Sequence, residues 1–300
     1  MAAETSRFVK LLHRLAQEST GFRKVSFTKA ADILEQYDDI ITVDEAAKLP
    51  GIGKGILIRL NEFIETGTLK ELKCSEEKSD TLDLFLNIYG VGPVMAAKLY
   101  NDGYRKLEDI PFKKLTKSQQ LGVIYYDDIN SRIPRDEINS FNKQLQQRIV
   151  QYNKENKREV KVMICGSYLR GKKESGDIDI IVAERKDDID VDKLLLFLHP
   201  LIEFILAKGQ TKVLSLGGLG KRRRIDLELV KWENWAFALL YFTGSKNFNK
   251  CIRQIAKDKG YLLNQEGIFS GTTRYHMDTE KEIFEFLGAK YQTPAQRDQF

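Results

Sequence analysis

The sequence predicts an α+β protein, with a helical N-terminal part followed by a part built on a β-sheet. The first 75 residues have the apolar spacing of amphipathic helices. Two Gly-x-Gly turns, at residues 51–53 and 90–92, separate further helical segments. Between residues 160 and 230, runs of β-branched and apolar residues have the length and composition of buried strands.

The N-terminal part, residues 1–75, is predicted to be a small helical domain. Apolar residues recur on one helical face in the segment 8–15. Thr42 and Glu45 have the spacing of a capping box, which predicts a helix that begins after Thr42. The polar stretch 74–80 predicts a hinge at the end of this domain.

The two Gly-x-Gly turns form an internal repeat. Gly51 and Gly53 precede Lys54, and Gly90 and Gly92 precede Pro93. Glycines in a tight turn let backbone N–H groups approach a phosphate without a Cβ in the way. An ordinary helix-hairpin turn is the alternative. The repetition favours contacts to a DNA backbone, which position a protein without reading sequence.

The second domain is predicted over residues 76–300. Short helical patterns occupy residues 81–134, and strand and helix patterns alternate over 160–232. Helices mix with short strands over 233–300.

A strand-to-helix turn in this domain has the features of a phosphate site. The apolar run Val160–Ile164 ends at Gly166 and Ser167. A helix that begins at Ser167 presents free N–H groups and its positive dipole end to an anion. Arg170 lies on the same helical face as Ser167 and can reach the same phosphate.

Three aspartates predict a divalent metal site. Asp177 and Asp179 are two residues apart on a second apolar strand, so their side chains face the same way. Asp226 lies in a third apolar run. An Asp-x-Asp pair alone is usually a solvated strand edge. With Asp226 and the phosphate turn, the set favours two divalent ions that clamp the oxygens of an in-line displacement.

The positive charge is concentrated in the second half of the chain. Residues 1–134 hold 19 basic and 20 acidic side chains, whereas residues 135–300 hold 29 and 23. A charge run is most often a solvated face. Beside a carboxylate site it favours a surface for nucleic-acid phosphates and a nucleoside triphosphate.

Composition excludes several other classes. The N-terminus lacks the apolar run of a signal peptide, and the sequence predicts no membrane span. Three widely spaced cysteines predict neither a disulfide framework nor a zinc site, and they indicate a reducing compartment. Three isolated histidines give histidine-based catalysis no support.

Further motifs accompany these along the chain, in the order Leu49–Lys54, Tyr89–Pro93, Arg132–Arg135, Arg224–Asp226, Tyr241–Ser245, Phe248–Arg253 and Asp278–Phe284. In this order, over nearly the whole chain, they resemble the family X DNA polymerases, most closely the polymerase beta type. The resemblance implies a lyase-like (8 kDa-type) domain at 1–75 with the first helix-hairpin-helix, and a polymerase domain at 76–300. The latter would comprise fingers at 76–134 with the second helix-hairpin-helix, a nucleotidyltransferase-type β-sheet palm at 135–232, and an α/β thumb at 233–300 that selects the nucleotide.

The resemblance also implies roles for individual residues. Asp177, Asp179 and Asp226 would bind two Mg²⁺ ions, for which Mn²⁺ can substitute, and would be the catalytic residues. Other positions would bind the nucleotide, namely Ser167, Arg170, Gly176, Arg132, Tyr241, Phe242, Gly244 and Asn249. DNA contacts would come from Lys250, Arg253 and Lys212, and from the turn residues Gly51, Gly53, Lys54, Gly90 and Gly92. Backbone carbonyls of the two turns would bind Na⁺ or K⁺, namely those of Ala47, Leu49, Ile52, Leu86, Ile88 and Val91.

Departures from the family pattern concern mainly the N-terminal domain. Arg59 stands where repair members carry the lysine that forms a Schiff base, and a guanidinium is no amine nucleophile. Phe27 replaces the accompanying tyrosine. Lys54 is a poor substitute on another helical face, and Lys24 and Lys29 are more distant. We therefore expect little or no 5′-deoxyribose-phosphate lyase activity. In the polymerase domain, Glu228 and Lys246 replace an arginine and an acid respectively, which puts fidelity in question but leaves polymerization intact.

The resemblance thus implies a template-directed DNA polymerase that fills short gaps in repair of the base-excision type. Its partners would be gapped or primer–template DNA and a dNTP, without a membrane, and the protein would be a soluble intracellular monomer. Nucleus and viral particle or cytoplasm stay open as locations. A template-independent terminal transferase and a non-catalytic DNA-end-binding scaffold are the alternatives. The template-reading set Asn249, Lys250 and Arg253 disfavours the first, and the three aspartates disfavour the second.

Overall fold

The computed structural model describes residues 2–36, 40–186 and 188–299, and for residues 2, 3, 40 and 73–76 the backbone alone. The chain divides into two compact units. The first comprises Met1–Leu86 and Val91–Ile110, and the second comprises Asn87–Gly90 and Pro111–Phe300.

The first unit is helical, as the sequence predicts. Its α-helices in the described ranges are α1 (Thr5–Glu18), α2 (Gly21–Leu34), α3 (Val43–Ala46), α4 (Lys54–Thr66), α5 (Lys70–Leu86) and α6 (Pro93–Asn101). The short strands β1 (Ala2–Glu4) and β2 (Ile40–Thr42) pair antiparallel.

The core of the first unit follows the helical period of the sequence. Phe8 and Leu12, four residues apart on α1, and Leu60 on α4 are fully buried. The Phe8 ring stacks on that of Phe63, with centroids 5.5 Å apart. Apolar residues from α1, α2 and α4 thus form one cluster that holds the unit together.

Two features of the first unit differ from expectation. The β1–β2 pairing is not predicted by the sequence, because two three-residue strands are too short to show an alternating pattern. The stretch 74–80, for which a hinge was expected, lies within α5, so the chain continues there as helix. The predicted capping box is confirmed: Thr42 accepts from the Glu45 amide, and the Glu45 carboxylate accepts from the Thr42 amide.

The second unit alternates helices and strands. Its helices are α7 (Lys117–Ile124), α8 (Tyr126–Asn130), α9 (Arg135–Asn156), α10 (Gly166–Leu169), α11 (Val191–Leu198), α12 (Trp235–Thr243), α13 (Lys246–Asp258) and α14 (Glu280–Phe286). Its strands are β3 (Ile133–Pro134), β4 (Val160–Ile164), β5 (Glu174–Ser175), β6 (Ile178–Glu184), β7 (Ile202–Lys208), β8 (Lys212–Gly217), β9 (Arg223–Leu229), β10 (Leu262–Asn264), β11 (Gly267–Ser270) and β12 (Thr273–Tyr275).

Five of these strands form the main sheet, in the order β4-β6-β9-β8-β7. Strands β6 and β9 are parallel, whereas the other neighbouring pairs are antiparallel. The register of β6 and β9 places Asp179 opposite Asp226. The three predicted apolar runs are therefore three neighbouring strands of one sheet.

Helix α9 covers this sheet with a continuous apolar face. Ile138, Phe141, Leu145 and Ile149 recur every three or four residues and are buried against β-strand residues. The remaining sheets are small. β3 pairs with β5, and β10-β11-β12 form a three-stranded antiparallel sheet beside α12–α14. The architecture is α+β, as predicted.

None of the helices in the described ranges is long and apolar enough to span a membrane. Cys165 is buried and Cys251 exposed, and both are free thiols.

Candidate active site

Three aspartates meet on two neighbouring strands of the main sheet. Asp177 precedes β6, Asp179 lies on β6, and Asp226 lies opposite Asp179 on the parallel strand β9. The alternation of side chains along a strand places Asp177 and Asp179 on one side of β6. The parallel register brings the third carboxylate beside them, as the sequence predicts.

Basic side chains partner two of these carboxylates. Arg224 donates to Oδ2 of Asp177 at 2.9 Å. Lys212 lies 3.2 Å from Oδ2 of Asp226 and 2.7 Å from Oε1 of Glu228. Lys212, predicted as a DNA contact, thus neutralises two acidic neighbours on β9.

The third carboxylate, Asp179, is in a different environment. Burial raises its pKa to about 7, and the negative charges of Asp177 and Asp226 add to this effect. Gly166 makes room for it, since a Cβ at Gly166 would collide with Oδ2 of Asp179. The positive φ of Gly166, 57°, independently favours glycine at this position.

The donor set fits hard divalent cations. Carboxylate oxygens are the ligands that Mg²⁺ and Mn²⁺ prefer, and a cation relieves the repulsion among crowded carboxylates. In the part of the chain that the structure describes, no three Asp, Glu, His or Cys side chains are arranged to hold an ion. Arg224 and Lys212 supply positive charge to Asp177 and Asp226. The ligand assignment stays a prediction.

The predicted strand-to-helix turn is present, and its phosphate-binding role stays a prediction. Helix α10 begins directly after β4, and it is only four residues long. Ser167 Oγ donates to Ser175 Oγ at 2.8 Å. Arg170 directly follows α10, and its Nη1 donates to the Thr243 carbonyl at 2.6 Å.

A cleft of about 850 Å³ lies beside the aspartates. All eight predicted nucleotide-binding residues line it, as do Asp177, Asp179, Lys250 and Arg253. The structure thus brings together residues that are more than a hundred positions apart in sequence.

One wall of the cleft is aromatic. The rings of Tyr241 and Phe242 are in edge-on contact, with centroids 4.9 Å apart. Asn249 donates to the Tyr241 carbonyl at 2.7 Å, and the Arg253 guanidinium lies 4.7 Å from the Tyr241 ring centroid. The residues predicted to contact the sugar, the base and the template are therefore in direct contact with one another through Tyr241.

Arg132 lines another part of the cleft. Its Nε donates to Glu174 at 3.0 Å, and its Nη2 donates to the Glu174 carbonyl at 3.0 Å. A Cβ at Gly176 would lie 3.2 Å from Nη1 of Arg132, so this glycine gives the guanidinium access to the cleft.

Sequence reasoning missed residues in the cleft and near it. Lys172 lines the cleft, and Asp298 contacts Arg170 and Lys172 from the C-terminal segment. Tyr89 was known only as part of a turn motif, yet burial and the charge of Asp226 raise the pKa of its hydroxyl. These contacts join segments that are distant in sequence, and no local sequence pattern predicts them.

In the first unit, the Gly-x-Gly turn is built as predicted. Gly51 has a φ of 101°, and a Cβ there would lie 2.7 Å from the Ile33 side chain. Gly53 caps α4, and Lys54 is the first residue of that helix. The Leu49 carbonyl, a predicted cation ligand, accepts from the Ile52 amide at 3.2 Å. At the second turn, Gly90 has a φ of 78° and Gly92 caps α6.

Arg59, at the position where the family resemblance places the lyase nucleophile, belongs to a charged cluster. Arg59 donates to Glu71 through Nε at 3.2 Å and through Nη2 at 2.5 Å. Arg23 also contacts Glu71, at 3.3 Å. The Arg59 guanidinium lies 5.1 Å from the Phe27 ring centroid. This cluster contains guanidinium groups, and none of them is an amine nucleophile.

Four known domain families match successive parts of the chain. A helix-hairpin-helix domain matches residues 4–69, and the fingers domain of DNA polymerase lambda matches 83–130. The palm and thumb of DNA polymerase beta match residues 132–231 and 238–298.

The chain is also similar to full-length curated proteins. It is 33% identical to DNA polymerase lambda of Arabidopsis thaliana, in a match that covers 98% of this chain and 61% of that protein. It is 30% identical to DNA polymerase lambda of Rattus norvegicus, over 92% of this chain and 52% of that protein. The chain thus spans between half and two thirds of the length of these relatives.

The fold and the site therefore define a nucleotidyltransferase-type palm with helix-hairpin-helix, fingers and thumb domains. The chain belongs to the family X DNA polymerases, related to polymerase beta.

Proposed function

We propose that the chain is a template-directed DNA polymerase that adds deoxynucleotides to a primer 3′-hydroxyl and fills short gaps in repair of the base-excision type. One observation carries the proposal: Asp177 and Asp179, with Asp226 opposite Asp179 on the neighbouring strand, line a cleft together with the strand-to-helix turn at Ser167 and an aromatic wall. The family relationship supports it.

The aspartates are the catalytic residues of this proposal. Asp177 and Asp179 would hold two Mg²⁺ ions, and Asp226 would be a ligand of only the ion that activates the primer 3′-hydroxyl. When bound, such a pair of ions clamps the attacking and leaving oxygens of an in-line displacement, and Mn²⁺ can replace Mg²⁺.

The other side of the cleft holds the nucleotide. Ser167, Arg170, Gly176 and Arg132 contact the triphosphate, because they present a helix N-terminus and two guanidinium groups. Tyr241, Phe242 and the backbone at Gly244 lie along the sugar and exclude a 2′-hydroxyl.

Base and template are held by the neighbouring helix. Asn249 donates to the minor-groove edge of the incoming base, where all base pairs present an acceptor. Lys250, Arg253 and Lys212 contact DNA.

The helix-hairpin-helix turns bind the DNA backbone on either side of the gap. Gly51, Gly53 and Lys54 form one contact, and Gly90 and Gly92 the other, since backbone N–H groups at glycine turns suit phosphates. Backbone carbonyls of these turns hold Na⁺ or K⁺. The chain acts as a monomer inside the cell, and it has little or no lyase activity because Arg59 replaces the nucleophilic lysine.

Primer extension tests the proposal and separates it from the alternatives. The chain is given gapped, recessed and single-stranded DNA, each with and without Mg²⁺. We expect Mg²⁺-dependent, template-directed addition that is strongest on gapped DNA. Template-independent addition to single strands would indicate a terminal transferase, and DNA binding without addition would indicate a scaffold.

A further inference from the structure

The C-terminal segment, residues 294–299, is fixed against the thumb portion of the second unit. Arg297 is fully buried, and its Nη1 donates to Glu280 at 2.7 Å. Its guanidinium lies 5.0 Å from the Phe248 ring centroid, and its carbonyl accepts from Ser245 Oγ at 2.8 Å. This anchor determines where the next residue, Asp298, can reach.

Asp298 reaches from this anchor to the phosphate-binding side of the cleft. Its Oδ1 accepts from Nε of Arg170 at 2.7 Å, and its Oδ2 lies 3.0 Å from Nζ of Lys172. Asp298 and Arg170 are 18% and 15% exposed, so solvent screens this pair only in part. Hydrogen bonds from Arg170 and Lys172 lower the pKa of the Asp298 carboxyl, although burial acts in the opposite direction.

We propose that Asp298 is a positioning residue for the nucleotide triphosphate, and that it acts by holding the Arg170 guanidinium in place. This inference rests on the proposed function, in which Arg170 binds the triphosphate. Two of the three guanidinium nitrogens are fixed by protein acceptors, one by Asp298 and one by the Thr243 carbonyl. The orientation of the guanidinium is therefore set before a nucleotide arrives, and less side-chain entropy is lost on binding.

The charges favour positioning over inhibition. One carboxylate faces two cations, Arg170 and Lys172, so this part of the cleft retains net positive charge for a phosphate. The arrangement also links the two sides of the site, because Asp298 is anchored to the thumb portion through Arg297 and contacts the residue that follows α10.

The test measures binding of a non-hydrolysable deoxynucleoside triphosphate analogue to the full chain on gapped DNA with Mg²⁺, by fluorescence titration. Asp298→Ala should raise the Kd about tenfold, the scale of one hydrogen bond between charged groups. Asp298→Asn should also weaken binding, and it tests the charge even if the alanine variant does not fold. Asp298→Glu keeps the carboxylate and should retain most of the affinity. The matched control is Asp278→Ala, which removes a carboxylate that is 80% exposed and pairs with His276 away from the cleft.

A double-mutant cycle distinguishes positioning from a general structural effect. In an Arg170→Ala background, Asp298→Ala should cause no further loss, because its action passes through Arg170. An unchanged Kd in both Asp298→Ala and Asp298→Asn, or an equal loss with and without Arg170, would overturn the inference. A wild-type chain that neither binds the analogue nor extends a primer would instead overturn the proposed function itself.

Discussion

The two units each contain a charged cluster at a position where the family resemblance places chemistry, and the clusters differ in what they can do. In the second unit, Asp177 and Asp226 are paired with Arg224 and Lys212. In the first unit, Arg59 is paired with Glu71. Carboxylates can exchange an ammonium or guanidinium partner for a metal ion, whereas a guanidinium cannot become an amine nucleophile.

From this comparison we expect that family membership does not transfer every activity. The sheet carries the three aspartates to which the proposed function assigns nucleotidyl transfer, and the register of β6 and β9 places two of them side by side. The helical unit keeps its fold and its glycine turn. At position 59, however, it carries an arginine where the family resemblance places the lysine on which lyase chemistry depends.

The largest effect is expected when the cluster of the second unit is broken. Asp226→Asn should abolish nucleotide addition while leaving triphosphate binding measurable, since loss of a ligand carboxylate costs several kcal/mol of transition-state stabilisation. Single-turnover kinetics measure this loss. Asp192→Asn, at a carboxylate that is 79% exposed, is the matched control. A near-normal rate in Asp226→Asn would contradict the assignment of Asp226 as a catalytic residue.

Truncation of a core side chain should affect primer extension differently in the two units. Phe141→Ala in the second unit and Phe8→Ala in the first should each lower the free energy of unfolding by about 3–5 kcal/mol, because both rings are buried. Only Phe141→Ala should also reduce primer extension on a recessed end, since every cleft residue lies in the second unit. Urea denaturation and extension assays measure the two effects. Equal loss of extension in Phe8→Ala would contradict this division.

The aromatic wall is expected to select the sugar. Deoxynucleotides should be preferred over ribonucleotides by about 1–3 kcal/mol or more, the scale of steric exclusion by a close-fitting pocket. Incorporation efficiencies of matched dNTP and rNTP pairs measure the preference. Equal efficiencies would mean that Tyr241 and Phe242 serve packing alone.

The smallest effect concerns helix capping, and it is expected to be alike in the two units. Thr42→Ala and Thr116→Ala each remove a capping-box hydroxyl, from α3 and α7 respectively. Each should cost about 1 kcal/mol of stability in thermal or urea unfolding. A loss near zero at either position would show that its helix end is held by tertiary contacts instead.

The sequence predicted the elements that have a local pattern. The apolar spacing of α1, the β-branched strands β4, β6 and β9, and the glycine turns all follow from period and residue type. The set of aspartates could also be found, because spacing and strand alternation fix which way the side chains face.

The rest could not be predicted because it depends on tertiary contacts. The pairing of Lys212 with Asp226 follows from the position of β8 beside β9, and the pairing of Asp298 with Arg170 joins residues 128 positions apart. The position of Glu71 against Arg59 likewise depends on how α5 packs. The β1–β2 pairing has too few residues to show a pattern.

A single gapped substrate tests the difference between the two units most directly. The gap carries a 5′-deoxyribose phosphate at its downstream end, and both ends are followed in one reaction with borohydride trapping in parallel. The account predicts that the primer is extended while the 5′ sugar phosphate remains and no covalent adduct forms. Arg59→Lys should restore trapping, more so when Glu71→Gln removes the carboxylate that would keep the new amine protonated. Removal of the sugar phosphate by the wild-type chain, with an adduct that Lys54→Ala abolishes, would contradict the account.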